Sequence, residues 1–136
     1  MKKTIEKENY LKAIFKMEEK GYLVTVTDLS NNFKVSKSTV SNMIKKLVVM
    51  GFVKRKPYKP ILLTFKGTKK ATQIISKHRL IELYLVKKMN FKLNEVHDIA
   101  EEIEHINNSE FFMRMKELLG NANIDPHGSK IPECNY

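Results

Sequence analysis

Two groups of side chains in this sequence have the types and spacing to hold a divalent cation. In "VHDIAEEIEH", Glu101, Glu104 and His105 stand at i, i+3 and i+4, so a helix would bring three oxygen or imidazole donors onto one face. At about 100° per residue, His97, Glu101, Glu104 and His105 span an arc of roughly 100°, while Val96, Ile99, Ala100, Ile103 and Ile106 take much of another. Close carboxylates repel one another, and a bound cation relieves that repulsion. Upstream, His78 and Glu82 repeat the i, i+4 spacing, and with His97 they offer a second constellation. An acidic face bearing histidines can equally be a solvated helix surface; two neighbouring constellations of the right donor types tilt the reading towards metal. The donors are oxygen and imidazole without thiolate, which favours Mn2+ or Fe2+ over a structural zinc or copper site, with Zn2+ a competitor in vitro.

The elements that must position these donors follow from hydrophobic spacing and caps. Residues 5–19 have helical spacing and end near Gly21. Thr27 is expected to cap a short helix to about Phe33, and Ser36 a longer one whose Val40, Met43, Ile44, Leu47 and Val48 form a continuous stripe up to Gly51. Phe52–Val53 and Ile61–Thr64 read as short strands around the loop "KRKPYKP", a basic hairpin placed where a winged helix carries its wing. Thr64 then caps a long helix to about Met89, apolar over so wide an arc that a subunit interface is expected to cover part of it. Asn94 is expected to cap the helix of the acidic stretch, Ser109 a last helix closed by Gly120, and residues 121–136 read as loop or tail. The fold class is therefore mainly α: an N-terminal winged helix-turn-helix with a two-stranded wing over residues 1–64, then a helical domain over 65–136.

The charge distribution names a partner for the first of these. The formal net charge is +10, and residues 1–59 hold 14 Lys/Arg against five Asp/Glu, whereas residues 60–136 hold 11 against ten. A basic half suits a polyanion, because fixed cations displace the counterions condensed on nucleic acid. The second helix of such a motif enters the major groove with its N-terminal residues nearest the base edges. Here those are Ser36, Lys37, Ser38, Thr39, Ser41 and Asn42, small or polar, with Asn42 able to pair bidentately with adenine. Lys45 and Lys46 fit phosphate contacts, and Lys54, Arg55, Lys56 and Lys59 on the wing fit the adjacent backbone. A protein-binding winged helix with a solvated polar face is the alternative. No 18-residue apolar run and no signal-like start is present, so a cytoplasmic protein without a membrane span is expected. The single Cys134 has no partner for an internal disulfide.

A winged helix followed by "KHRLIE" and then "VHDIAEEIEH" resembles the diphtheria-toxin-repressor family, which includes iron-dependent repressors and manganese transport regulators. "ENYLKAIFKMEEKG" is similar to the family's first helix, "VSKSTVSNMIKKL" to its recognition helix and "DPHGSKIP" to the segment after its dimerisation helices. The resemblance implies a homodimeric repressor of metal-uptake genes that binds a palindromic operator with Mn2+ or Fe2+ as corepressor. It implies Glu101, Glu104 and His105, completed by Asn9, as primary ligands, and His78, Glu82 and His97 as an ancillary site. Glutamate at Glu101, where iron-selective members have cysteine, favours the harder ion. Manganese regulators have aspartate at the position of Asn9 and a second glutamate at that of Lys12, so weaker affinity or fewer metals is expected here. Set against longer relatives, the chain is expected to be a short form without the C-terminal SH3-like domain.

Two other functions fit parts of the pattern. A winged-helix regulator that has lost metal dependence would share every DNA-binding residue, with Asn9 and Lys12 as the marks of that loss. A metalloenzyme would use Glu102 and His105 as a Glu-x-x-His unit, but a di-iron bundle needs two such units and the sequence has one, so no enzyme is expected.

Overall fold

In the computed structural model, which describes residues 2–136 with side chains from Thr4 onward, the chain divides into two units, Met1–Ala71 and Thr72–Tyr136. The first holds α1 (Lys2–Glu19), α2 (Val26–Phe33), α3 (Lys37–Val49) and a hairpin of β1 (Val53–Lys54) and β2 (Leu62–Leu63). Thr25, and not Thr27, caps α2: its hydroxyl accepts from the Asp28 amide at 3.1 Å while Asp28 accepts from the Thr25 amide at 3.0 Å. The acid three residues on selects Thr25, because only that threonine can form the reciprocal box. Lys34 adopts the left-handed conformation (φ 55°) and turns the chain from α2 into α3. Ser36 caps α3 through the Thr39 amide at 3.1 Å, and Gly51 (φ 81°) follows its end, both as the sequence predicts.

The apolar faces of these helices close on one core. Leu11, Ile14, Leu29, Val40, Ile44 and Leu47 are at most 1% exposed and pack with Val53 and Ile61 from the hairpin. β1 and β2 pair antiparallel with Val53 opposite Leu63 and Lys54 opposite Leu62, and Val24 forms a further bridge to Ile61. At the hairpin's base the Phe52 carbonyl accepts from the Thr64 amide at 3.0 Å and lies against Gly67, where a Cβ would sit 2.0 Å from that oxygen. Thr64 Oγ1 also accepts from the Gly67 amide at 3.0 Å, the capping bond expected for α4 (Phe65–Met89).

The second unit contains most of α4, then α5 (Val96–Ile103) and α6 (Ser109–Leu118). The entry to α5 is not capped by Asn94. That residue sits inside a 3-10 turn, Leu93–Glu95, whose Glu95 carboxylate reaches back to the Lys92 amide at 2.9 Å. Asn108, one residue before the expected Ser109, caps α6 through the Phe111 amide at 3.0 Å. Eight residues make α5 too short to stand alone, so packing of Val96 and Ala100, both 0% exposed, must hold it.

The wide apolar arc of α4 finds its cover within the chain. Leu80, Ile81, Leu83 and Leu85 are at most 4% exposed in a core with Val96, Ala100, Phe112, Met115 and Ile131. Those four residues are therefore covered within the chain, while Tyr84 and Val86 on the same helix are only half-buried. Part of the cover comes from the segment after α6, which is irregular but docked: Arg79 donates to the Lys130 carbonyl at 2.6 Å, Ser76 and Tyr136 share a hydroxyl hydrogen bond of 2.6 Å, and the Tyr136 ring lies 5.7 Å from that of Phe112.

Candidate metal centre and nucleic-acid interface

In the second unit, two helices and one turn bring carboxylates and imidazoles into a continuous line. His78 and Glu82 project from one face of α4 because they are a single turn apart, with His78 Nε2 3.2 Å from Glu82 Oε1. The other ring nitrogen, Nδ1, lies 3.4 Å from Glu104 Oε2. Glu104 and His105 follow the last residue of α5, in a turn held by the Glu104 amide donating to the Ala100 carbonyl and by Lys77 Nζ donating to the Ile106 carbonyl. His105 Nε2 is 3.7 Å from Glu104 Oε1. On α5, His97 Nε2 is 3.3 Å from Glu101 Oε1, and the His97 ring meets that of His78 edge-on at 4.9 Å.

Donor atoms of His78, His97 and Glu101 lie within 4.8 Å of one another, and so do those of Glu82, Asp125 and His127. Glu101 thus gathers with the two histidines of the expected ancillary group, while Glu104 and His105 adjoin through the contact to His78. Asp125 and His127 belong to neither constellation drawn from the sequence. They arrive from the irregular segment after α6, where Asp125 Oδ1 accepts from the amides of His127 (2.9 Å) and Ser129 (2.7 Å). That turn leaves Oδ2 4.0 Å from His127 Nδ1, itself 3.8 Å from Glu82 Oε1. Each triplet has a buried floor, His78 in one and Glu82 with Asp125 in the other, and an open rim, with the side chains of His97 and His127 56% and 45% exposed.

The electrostatics of the floor fit a cation. Burial by itself would push the His78 imidazole down, but Glu104 and Glu82 against its two nitrogens outweigh this and raise its pKa above the ordinary histidine value. Burial would push Glu82 up, and His78, with His127 and His97 behind it, more than offsets that and holds the carboxyl below its usual range. Both shifts favour the charged pair. Glu82 Oε2 is buried without a hydrogen-bond partner among the described residues. A buried acceptor left open costs roughly 1–3 kcal/mol, so an oxygen-seeking ligand is the economical explanation. With oxygen and imidazole donors throughout, these residues fit a divalent cation.

In the first unit, Ser36, Lys37, Ser38, Thr39, Asn42, Lys45, Lys46, Lys54, Arg55, Lys56 and Lys59 are exposed, and Ser41 is half-buried. The Ser36 hydroxyl is engaged as the α3 cap and with the hydroxyls of Ser38 (3.0 Å) and Thr39 (2.8 Å), so the first turn presents a linked hydroxyl cluster. From Leu29 to Ile81 the chain has 13 Lys/Arg and no Asp or Glu. Cations along α3 and the wing thus face solvent with no carboxylate in that stretch to neutralise them.

Comparison with known proteins places this architecture. The family model described as "Iron dependent repressor, N-terminal DNA binding domain" matches residues 3–61, and "Iron dependent repressor, metal binding and dimerisation domain" matches residues 64–133. The chain belongs to the iron-dependent repressor family. It is 30% identical to the diphtheria toxin repressor of Corynebacterium glutamicum over 125 residues, 92% of this chain and 55% of that protein. It is 33% identical to an uncharacterized HTH-type transcriptional regulator of Methanocaldococcus jannaschii, covering 80% of this chain and 88% of that one. Among solved structures, a manganese-dependent transcriptional repressor in complex with manganese superposes with a TM-score of 0.86 at 34% identity, over 94% of this chain and 59% of that one. The chain spans about half the length of the diphtheria toxin repressors it matches. No helix among the described residues is long and apolar enough to cross a membrane.

Proposed function

We propose that this chain is a metal-dependent DNA-binding repressor of metal-uptake genes, acting in the cytoplasm as a homodimer on a palindromic operator with Mn2+ or Fe2+ as corepressor. The observation that carries this is the line of alternating carboxylates and imidazoles through His78, joined in one chain to an acid-free basic helix and wing. The metal ligands are drawn from His78, Glu82, His97, Glu101, Glu104 and His105, with Asp125 and His127 added from the geometry. Asn9, which lies on α1 in the first unit, is carried over from the family resemblance alone. A bound divalent cation supplies the positive charge that lets these carboxylates stand together. The protein's own part is to give up the His78 proton, present the Glu82 and Asp125 oxygens from a dry floor, and close the rim with His97 and His127.

The DNA-binding residues are Ser36, Lys37, Ser38, Thr39, Ser41 and Asn42 for the major groove, with Lys45, Lys46, Lys54, Arg55, Lys56 and Lys59 for phosphates. Recognition helices of a dimer would lie about 34 Å apart to meet successive half-sites. Metal acts on DNA binding only to the extent that the DNA-competent arrangement holds it more tightly. One preparation tests this: calorimetric titration with Mn2+, and anisotropy with operator fragments selected from random duplexes, with and without the metal. Specific metal binding and metal-enhanced affinity are expected; DNA affinity indifferent to metal would sink the corepressor role. One observation favours the metal-independent alternative, which the same experiment reads: Lys12, where manganese regulators carry a carboxylate, is only 6% exposed.

A further inference from the structure

The tip of the wing contains a residue that its own backbone does not favour. Lys56–Lys59 form a tight turn, with the Lys59 amide donating to the Lys56 carbonyl at 3.1 Å, and Pro57 occupies the position whose φ a proline sets in advance. The next position has φ 59°, a conformation suited to glycine or asparagine, and here it holds Tyr58. An L side chain is disfavoured in that region, and this one recovers nothing by packing, since it is 106% exposed. A large ring held in a disfavoured conformation, fully in water, between Pro57 and Pro60, answers no need of the fold. Arg55, Lys56 and Lys59 surround it.

We propose that Tyr58 is a DNA contact: an aromatic wedge that the wing inserts into the minor groove beside the major groove read by α3. The chemistry of the tip selects this partner. The flanking cations need a polyanion, and a narrow minor groove in A·T-like sequence concentrates negative potential that draws in arginine and lysine. Its walls are deoxyribose and base edges, which a flat apolar ring can pack against or part, as apolar wedges do at minor-groove steps. Phosphates alone would use the three cations and leave the ring idle. The positive φ then has a purpose, turning the ring outward from the hairpin on a short, proline-braced support. Sequence preference at bases beyond the reach of α3 would come from this contact.

The inference rests on the DNA-binding reading above, and the test separates the two. Wild type, Y58A, Y58F and Y58G are titrated by anisotropy, with saturating Mn2+ and low salt, against a 30-base-pair G·C duplex and the same duplex with inosine replacing guanine. Inosine removes the minor-groove amino group and leaves the major-groove pattern unchanged. Wild type should prefer the inosine duplex, and Y58A and Y58G should lose about tenfold on it, a modest share of what aromatic–base contacts contribute elsewhere, with little change on G·C. Y58F should stay within about twofold of wild type, since the ring is the working part. Thermal melting should move the other way for Y58G, which relieves the positive φ and so melts higher while binding less. Y58A and Y58G binding within about twofold of wild type on both duplexes would overturn the wedge, and equal loss in Y58F and Y58A would overturn the ring-packing role. If wild type binds neither duplex, the DNA-binding reading itself fails.

Discussion

The two units treat charge in opposite ways. The first spreads its cations over exposed positions of α3 and the wing. The second draws carboxylates and imidazoles inward until Glu104 is 0% and Glu82 2% exposed. Exposed like charges cost little in water and act at a distance on a polyanion; buried ones are tolerable only when a partner of opposite charge occupies the space between them. The contrast teaches that a surface suited to a large, diffuse ligand and a cleft suited to a small, concentrated one can be made from one chain by burial alone. It also says what each should respond to: ionic strength in the first, metal and protons in the second.

The sharpest way to break that division is at Glu104, which contacts both His78 and His105. Glu104→Ala should lower Mn2+ affinity in calorimetry by about 100-fold or more, because one substitution removes a donor and unsettles two imidazoles. The salt dependence of DNA binding should not move, and a change there would show that the two units do not divide the work. Gly67→Ala comes next. A methyl group 2.0 Å from the Phe52 carbonyl forces backbone to move, so a loss of about 1–3 kcal/mol is expected in denaturant unfolding; an unchanged midpoint would mean that the contact relaxes freely. Lys45→Ala and Lys46→Ala should each reduce the slope of log affinity against log salt by about one, read by anisotropy, while metal affinity stays level.

The smallest effect is one of pH. His78 has a raised pKa in the folded protein, so its contribution to stability is complete below the ordinary value of 6.5 and is lost as pH rises through the raised one. Glu82, lowered from 4.5, contributes above that value and loses its share as pH falls below it. Metal-free protein should therefore melt a few degrees lower as pH climbs past about 6.5, and Mn2+ affinity should climb over the same interval as the His78 proton leaves. Parallel melting curves with chelator and with Mn2+ would remove His78 from the ligand set.

Much of this was legible in the sequence, for reasons that differ by region. The helix-turn-helix could be read because its signals are local: Ser36 with Thr39, the α3 stripe, Gly51, and a proline-rich basic loop between short strands. The threonine pair at 25 and 27 misled only until Asp28, three residues after Thr25, is weighed as the other half of a capping box. The i, i+4 pairs His78–Glu82 and His97–Glu101 could be read because helical periodicity fixes which side chains meet. Asp125 and His127 could not, because no periodicity governs an irregular segment that reaches α4 through Arg79 and Ser76. Only the Asp-Pro-His-Gly turn chemistry hinted that both side chains are held in place. The same segment supplies cover for the broad apolar arc of α4 that no local signal announces: it lies about fifty residues downstream, at Ile131 and Tyr136.

The meeting of the Phe52 carbonyl with Gly67 also bears on how this chain can vary in length. A residue added or lost between Gly67 and the ladder pairing Val53 with Leu63 would bring Lys66 or Thr68 opposite that oxygen, and neither lacks a Cβ. Insertions are tolerable only at the apex, between Arg55 and Pro60, where the hairpin has no register to keep. Relatives should therefore differ in wing length at the tip alone, and a library that lengthens the wing should yield folded proteins only from that loop.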